Sequence, residues 1–255
     1  MEIDLPFFIE LIQQTSEEIL AIYHQDFSVE NKADLSPITL ADKKVNEIIL
    51  SALKKKYPTI PIISEETSIP AYEIRKNWEY FFMVDPLDGT KEFIQKNDEF
   101  TINIALIKKD SPIFGIVGIP CFQEIYYGIA AEGSFKIHEN KTTKINASPS
   151  KKTTEEIKVA ISKSHLDDAT KNYINELKKK YPKVNCYELG SSLKFCKIAE
   201  GIYDCYPRFS PTMEWDTAAA HAVVKFAGKE VIDFNTKLPL LYNKKSLVNS
   251  VFIVQ

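Results

Sequence analysis

Four acidic clusters in this 255-residue chain stand where apolar runs meet polar turns: LAD ending at Asp42, IISEE with Glu65 and Glu66, VDPLDGT with Asp85 and Asp88, and EWDT with Asp216. Carboxylates gathered in apolar surroundings repel one another unless a cation joins them. An all-oxygen donor set, with no His or Cys at ligand spacing, suits a hard cation such as Mg2+ rather than zinc. Mg2+ keeps waters and shares phosphate oxygens, so such a site points to phosphate chemistry. Within DPLDGT the spacing of three lets Asp85 and Asp88 turn to one point, and the Leu87 carbonyl, released by the turn, can add a neutral oxygen. Gly89 and Thr90 open the next helix there, with N–H groups that would face a phosphate. Each cluster alone also has a structural explanation. Asp88 and Asp216 could be helix N-caps, and Glu65 and Glu66 could begin an exposed turn. Asp85 resists that explanation, because it follows four apolar residues and should emerge at the edge of a buried strand.

The elements that must position these groups are legible from periodicity. Phe7, Phe8, Leu11, Ile12, Ile19, Leu20 and Ile22 recur at helical spacing, and a second helix is predicted from about Leu40 to Tyr57, ended by three lysines and Pro58. Between about 99 and 137, FTINIALI, IFGIVGI and EIYYGIAA read as antiparallel strands of one sheet. The polar stretch NASPSKKTTEE at 146–156 marks a subdomain boundary. Beyond it strands at VAIS, NCYEL, DCYPRF and EVID alternate with helices from about 168, around SLKFCKIAEG, and at about 215–227. The expected organisation is therefore an N-terminal metal-binding α+β subdomain, 1–150, and a smaller C-terminal α/β subdomain, 151–255, that completes the site.

Composition excludes several classes. With 32 basic and 35 acidic residues intermixed and a formal charge of −3, no basic stripe offers itself to a nucleic acid polymer and no polybasic patch to a membrane. No window approaches 18 uninterrupted apolar residues, so no integral membrane segment is expected. Four cysteines without CxxC pairs read as buried free thiols. The acidic start MEIDLPFFIE lacks a secretory pattern, which places the chain in a reducing cytoplasm.

DPLDGTKEF with the later WDTAAAHAV resembles the two signatures of the inositol monophosphatase superfamily of magnesium-dependent, lithium-sensitive phosphatases. KADLSPITLAD, ISEE, GSSLKFCKIAEG and YPRFSPTMEWDTAAAHAV resemble its 3'(2'),5'-bisphosphate nucleotidase branch, from about Lys32 to Val231. The resemblance implies a layered α/β sandwich with an N-terminal antiparallel sheet between helices. It also implies two Mg2+ ions, one on Glu65, Asp85 and the Leu87 carbonyl and one on Asp85, Asp88 and Asp216, with Glu66 and Asp88 sharing a possible third. Water activated at the metals would attack, oriented by Thr90 and Asp42 as the catalytic pair. Hydrolysis of the 3'-phosphate of adenosine 3',5'-bisphosphate to AMP is the implied reaction, in sulfur assimilation and nucleotide recycling. Family precedent adds a monomer and, without support in these residues, a peripheral association with the inner face of a membrane.

Substrate choice draws on composition as well. Thirty lysines stand beside only two arginines, Arg75 and Arg208. Arg208, in YPRFSP just ahead of Asp216, offers a planar guanidinium that binds phosphate bidentately or stacks on a base; a salt bridge at a strand end is its structural alternative. By resemblance Gly89, Thr90, His165, Ser191, Ser192, Lys194, Arg208 and Asp216 would hold the substrate. His24, His138 and His221 read as structural or surface residues. Three rivals stand beside this reading: an inositol phosphate or fructose bisphosphate phosphatase sharing the metals, against which SSLKFC and YPRF argue, an aspartyl-phosphate enzyme, and a protein that binds the bisphosphate without hydrolysis. The second needs DxDGT, and the spacing here is DxxDGT.

Overall fold

The computed structural model describes residues 2–25, 29–31, 37–147, 155–163 and 167–255. Asp4 accepts the Phe7 N–H and caps α1 (Leu5–Tyr23), a helix with Pro6 in its first turn. The short strands β1 (Val29–Asn31) and β2 (Pro37–Thr39) pair antiparallel and lead into α2 (Leu40–Lys56). A capping box starts α2: the Thr39 side chain meets the first turn while Asp42 reaches back to the Thr39 N–H at 2.7 Å. Lys54, Lys55 and Lys56 close it, as the dipole favours.

A seven-stranded sheet follows. It runs in spatial order through β3 (Ile62–Ser64), β4 (Tyr80–Asp88), β5 (Thr101–Lys108), β6 (Ser111–Ile119), β7 (Glu124–Ile129), β8 (Gly133–His138) and β9 (Lys141–Ile145). The β3–β4 pair is parallel and every other pair antiparallel. The short helices α3 (Tyr72–Arg75) and α4 (Thr90–Ile94) precede and follow β4. The three strands expected between 99 and 137 are all present, and the sheet extends past them by β8 and β9.

Beyond it lie β10 (Glu156–Ser162), α5 (Asp168–Lys180), β11 (Lys183–Leu189), α6 (Leu193–Ala199), β12 (Tyr206–Arg208), α7 (Trp215–Phe226), β13 (Val231–Asp233) and β14 (Phe252–Val254). β10 and β11 form a parallel pair, and β12, β14 and β13 an antiparallel sheet in that order. Much of the boundary segment at 146–156 falls outside the described residues.

Period-2 alternation sends each face of the large sheet into a different core. Phe82, Val84, Ile102, Ile104 and Ile116 pack with α1 and α2, whereas Phe81, Met83, Ala105, Val117 and Tyr126 pack with α6 and α7. On the second face glycine is required. A Cβ at Gly115 would lie 2.2 Å from the Ala219 carbonyl oxygen, and one at Gly128 would lie 2.5 Å from that of Ala222. The alanine-rich α7 thus lies directly on the strands, and its first turn reaches the end of β4. Arg75, buried, is a structural clamp: its guanidinium donates to Asn243 Oδ1 and the Lys245 carbonyl, and Asn243 donates back to its own carbonyl. Two cysteines, Cys196 and Cys205, are buried free thiols as expected; Cys121 is only half-buried and Cys186, on the outward β11, is exposed.

Candidate metal and phosphate site

Asp85 and Asp88 differ by three positions, which in a regular strand would put them on opposite faces. The pairing with β5 removes that obstacle. Asp85 opposes Asn103 and Asp88 opposes Thr101, so three steps on β4 match two on β5 and a bulge absorbs the extra residue. Pro86 sits in the bulge, where no ladder N–H is needed. Both aspartates then face α7. The Leu87 N–H turns back to Asp85 Oδ1 at 3.1 Å.

Neither Asp88 nor Asp216 is a helix N-cap. The N-cap of α4 is Gly89, left-handed at φ 93°, and that of α7 is Glu214. Asp216 instead accepts the Met213 N–H at 2.8 Å with one oxygen. Ligand oxygens of Glu65, at the end of β3, and of Asp85 and Asp216 all lie within 4.8 Å of one another. Asp88 completes the group electrostatically. Burial first, then the negative charges of Glu65, Asp88 and Asp216, raise the Asp85 carboxyl well above the ordinary range. Burial and the charges of Asp88 and Glu65 do the same to Asp216, and burial pushes Asp88 up to about 6 although Lys194 opposes it. Such a set fits a hard divalent cation: every donor is oxygen, the donors converge, and their charges repel without one. Among the described residues no His or Cys joins the cluster.

Asp42 and Thr90 meet as expected. Thr90 Oγ1 lies 3.3 Å from Asp42 Oδ1 and 3.4 Å from the Leu87 carbonyl, while Asp42 Oδ2 accepts both the N–H and hydroxyl of Thr39. The carboxylate that caps α2 is therefore also the one that orients Thr90.

A cleft of about 280 Å³ opens from the carboxylates between α4, α6 and β12. Lys194 and Arg208 line it, with Gly89, Thr90, Ser191 and Asp216. Arg208 is braced from behind, Nε donating to the Ser210 carbonyl at 3.1 Å and Nη2 to that of Pro211 at 3.3 Å. Ser210 in turn donates to Asp167, the cap of α5. Lys194 spends two of its three donors on the Leu189 and Ser191 carbonyls, and its ammonium lies 5.2 Å from the centre of the Tyr206 ring. Burial lowers its pKa to about 8 against the pull of Asp88.

Ser192 looks elsewhere: its N–H donates to Asp88 Oδ2 at 2.6 Å and its hydroxyl to the Asp216 carbonyl at 2.9 Å. A charged network of Glu124, Lys136, Lys197 and Glu200 around the Tyr126 hydroxyl fixes α6 to β7 and β8 behind it. His165 lies outside the described residues, as does Lys32–Ser36 of the resembling segments. Glu66 is half-buried beside Glu65. His221 is structural, its Nε2 on Glu230 and Nδ1 2.9 Å from the Tyr242 hydroxyl. Sequence reasoning missed Glu92, buried and lining the cleft, and the pair Thr101 and Asn103. That pair was visible as two polar residues on one face of an apolar strand.

Residues 3–251 match the Inositol monophosphatase family. The chain belongs to that family. Within it, the 3'(2'),5'-bisphosphate nucleotidase CysQ of Escherichia coli (strain K12) is 40% identical over 249 residues, 96% of each chain. CysQ of Salmonella typhimurium (strain LT2) is 40% identical over 248 residues, again 96% of each. The crystal structure of CysQ from Bacteroides thetaiotaomicron, itself described as a member of the inositol monophosphatase family, matches with a TM-score of 0.83 at 38% identity, covering 97% of this chain and 94% of that one. The layered fold is thus that of the inositol monophosphatase family, and the match extends beyond the Lys32–Val231 stretch on which the sequence resemblance rested. Among the described residues no helix is long and apolar enough to cross a membrane.

Proposed function

We propose that this protein is a divalent-cation-dependent 3'(2'),5'-bisphosphate nucleotidase that releases the 3'-phosphate of adenosine 3',5'-bisphosphate and leaves AMP. The observation that carries this reading is the placement of Arg208 and Lys194 in the same cleft as the converging carboxylates. One end of the cleft suits a cation with the phosphate to be cleaved, and the other a second anionic group. The curated CysQ relatives bear the name of that activity.

Glu65, Asp85, Asp88, Asp216 and the Leu87 carbonyl would hold two ions, with Glu66 extending the donors toward a third. Bound Mg2+ supplies Lewis-acid polarisation of the phosphoryl group and lowers the pKa of water. The remaining work belongs to side chains. Thr90 directs its single proton to Asp42 Oδ1, which leaves its oxygen to accept from the attacking water and set the line of attack. Asp42, held by Thr39, keeps its charge in place for that proton. Arg208 presents its guanidinium edge to the distal phosphate or the base, and Lys194 adds a point charge. His165 and Ser191 would complete the nucleotide contacts.

Phosphate release from adenosine 3',5'-bisphosphate, with inositol 1-phosphate alongside and with and without Mg2+, tests the reading. Magnesium-dependent release giving 5'-AMP, with little from the inositol ester, is expected. Preference for the inositol ester would overturn the roles of Arg208 and Lys194; release from neither would make the protein a binder.

A further inference from the structure

Thr101 and Asn103, two residues apart on β5, are both buried, and the β4 bulge sets them opposite Asp88 and Asp85. With Asp88 ionised, as a bound cation requires, their hydrogen bonds take one direction. The Asp88 carboxylate, when ionised, can only accept, so the Thr101 hydroxyl gives it its one proton, Oγ1 to Oδ2 at 3.4 Å. The Thr101 oxygen must then accept from Asn103, whose Nδ2 lies 3.3 Å away. Asn103 is thereby committed to donate through nitrogen, and its Oδ1 is left buried without a hydrogen-bond partner. A buried amide oxygen in that state is costly and uncommon. With a cation bound and Asp85 ionised, the cross-strand neighbour is no remedy. Asp85 shares the face of Asn103, with Cβ atoms about 5 Å apart in such a pair, and an ionised carboxylate offers no proton. An unpartnered acceptor on the residue opposite a carboxylate calls for a molecule that donates to both, and water is the smallest that does.

Resting on the reading that the acidic cluster holds a divalent cation, we propose that Asn103 and Thr101 form a positioning relay for it. Thr101 fixes the Asp88 carboxylate, and Asn103 Oδ1 receives a hydrogen bond from a water that also donates to Asp85. Residues that orient metal-holding carboxylates in this way contribute about 10- to 100-fold to metal affinity.

The test is calorimetric titration of the whole chain with Mg2+, without substrate, beside thermal unfolding of the cation-free protein. Thr101→Val keeps the shape and removes the hydroxyl; Thr101→Ser keeps the hydroxyl. The expected result is a roughly 10- to 100-fold weaker Mg2+ affinity in Thr101→Val and Asn103→Leu, with Thr101→Ser close to the parent. If Asn103→Leu does not fold, the two Thr101 variants decide the matter. Lowered melting temperatures with unchanged Mg2+ affinity would reduce the pair to a structural role and overturn the relay while leaving the cation site standing. No Mg2+ binding by the parent would overturn both.

Discussion

The main-chain N–H of Ser192 donates to Asp88 Oδ2 at 2.6 Å, joining positions 104 apart in the chain. Because the Ser192 hydroxyl also holds the Asp216 carbonyl, one residue at the head of α6 registers two acidic residues that arrive from different elements, Asp88 from the end of β4 and Asp216 from the first turn of α7.

Replacing Asp88 by Asn keeps an acceptor for Ser192 and removes a charge from the cluster. Turnover is expected to fall by about 10³ or more, because electrostatic stabilisation at the reacting phosphate is lost, while circular dichroism and melting stay close to the parent. Near-normal turnover in Asp88→Asn would refute the role given to this carboxylate.

Arg208→Ala should raise KM for adenosine 3',5'-bisphosphate by about 10- to 100-fold, the loss expected of a charge-assisted pair, and change inositol 1-phosphate hydrolysis far less. Arg208→Lys should not restore it, because the planar fork braced by Ser210 and Pro211 is what lysine lacks. An equal loss on every phosphate ester would contradict a selective role.

Asp85, Asp88 and Asp216 have folded-state pKa values above the unfolded ones, Asp88 at about 6. Between about pH 4 and those values the folded chain binds more protons than the unfolded chain, so their contribution to stability falls as pH rises through that window. Mg2+ competes with the same protons. The rise in melting temperature on adding Mg2+ should therefore be larger at pH 7.5 than at pH 5, and binding should release protons, read as a dependence of the calorimetric heat on buffer. A shift independent of pH would show that these carboxylates do not meet the ion.

Gly115→Val should destabilise the fold by about 3 kcal/mol or more, as overpacking against a rigid neighbour does, because its Cβ would collide with the Ala219 carbonyl. Urea unfolding measures it. A variant as stable as the parent would mean that α7 can ride higher on the sheet.

The carboxylates were legible in the sequence because buried acids at the ends of apolar runs have few other uses, and α1 because its apolar positions keep a helical period, as do those of α2; α7, buried all round along residues 217–224, carries no such period. What escaped was geometry without a local signature. Nothing in DPLDGT says that a bulge resets the pleat, since the count of residues on the partner strand decides it. β8, β9 and β14 escaped for a related reason. β9 is almost wholly exposed, so it carries no apolar alternation, and β14 is only three residues long. Ser192 showed the same limit: its type suggested a ligand contact, and only the fold revealed that it serves Asp88 and Asp216.

The seating of α7 on the glycines of the sheet has a kinetic side. Asp216 comes from near the end of the chain, and Asp85 from a strand that can pair with its neighbours much earlier. The two charges cannot confront each other until α7 has docked, so the sheet assembles free of their repulsion. In a cation-free protein the buried face of α7, residues 217–224, must therefore offset by packing the repulsion that its own first turn brings to Asp85.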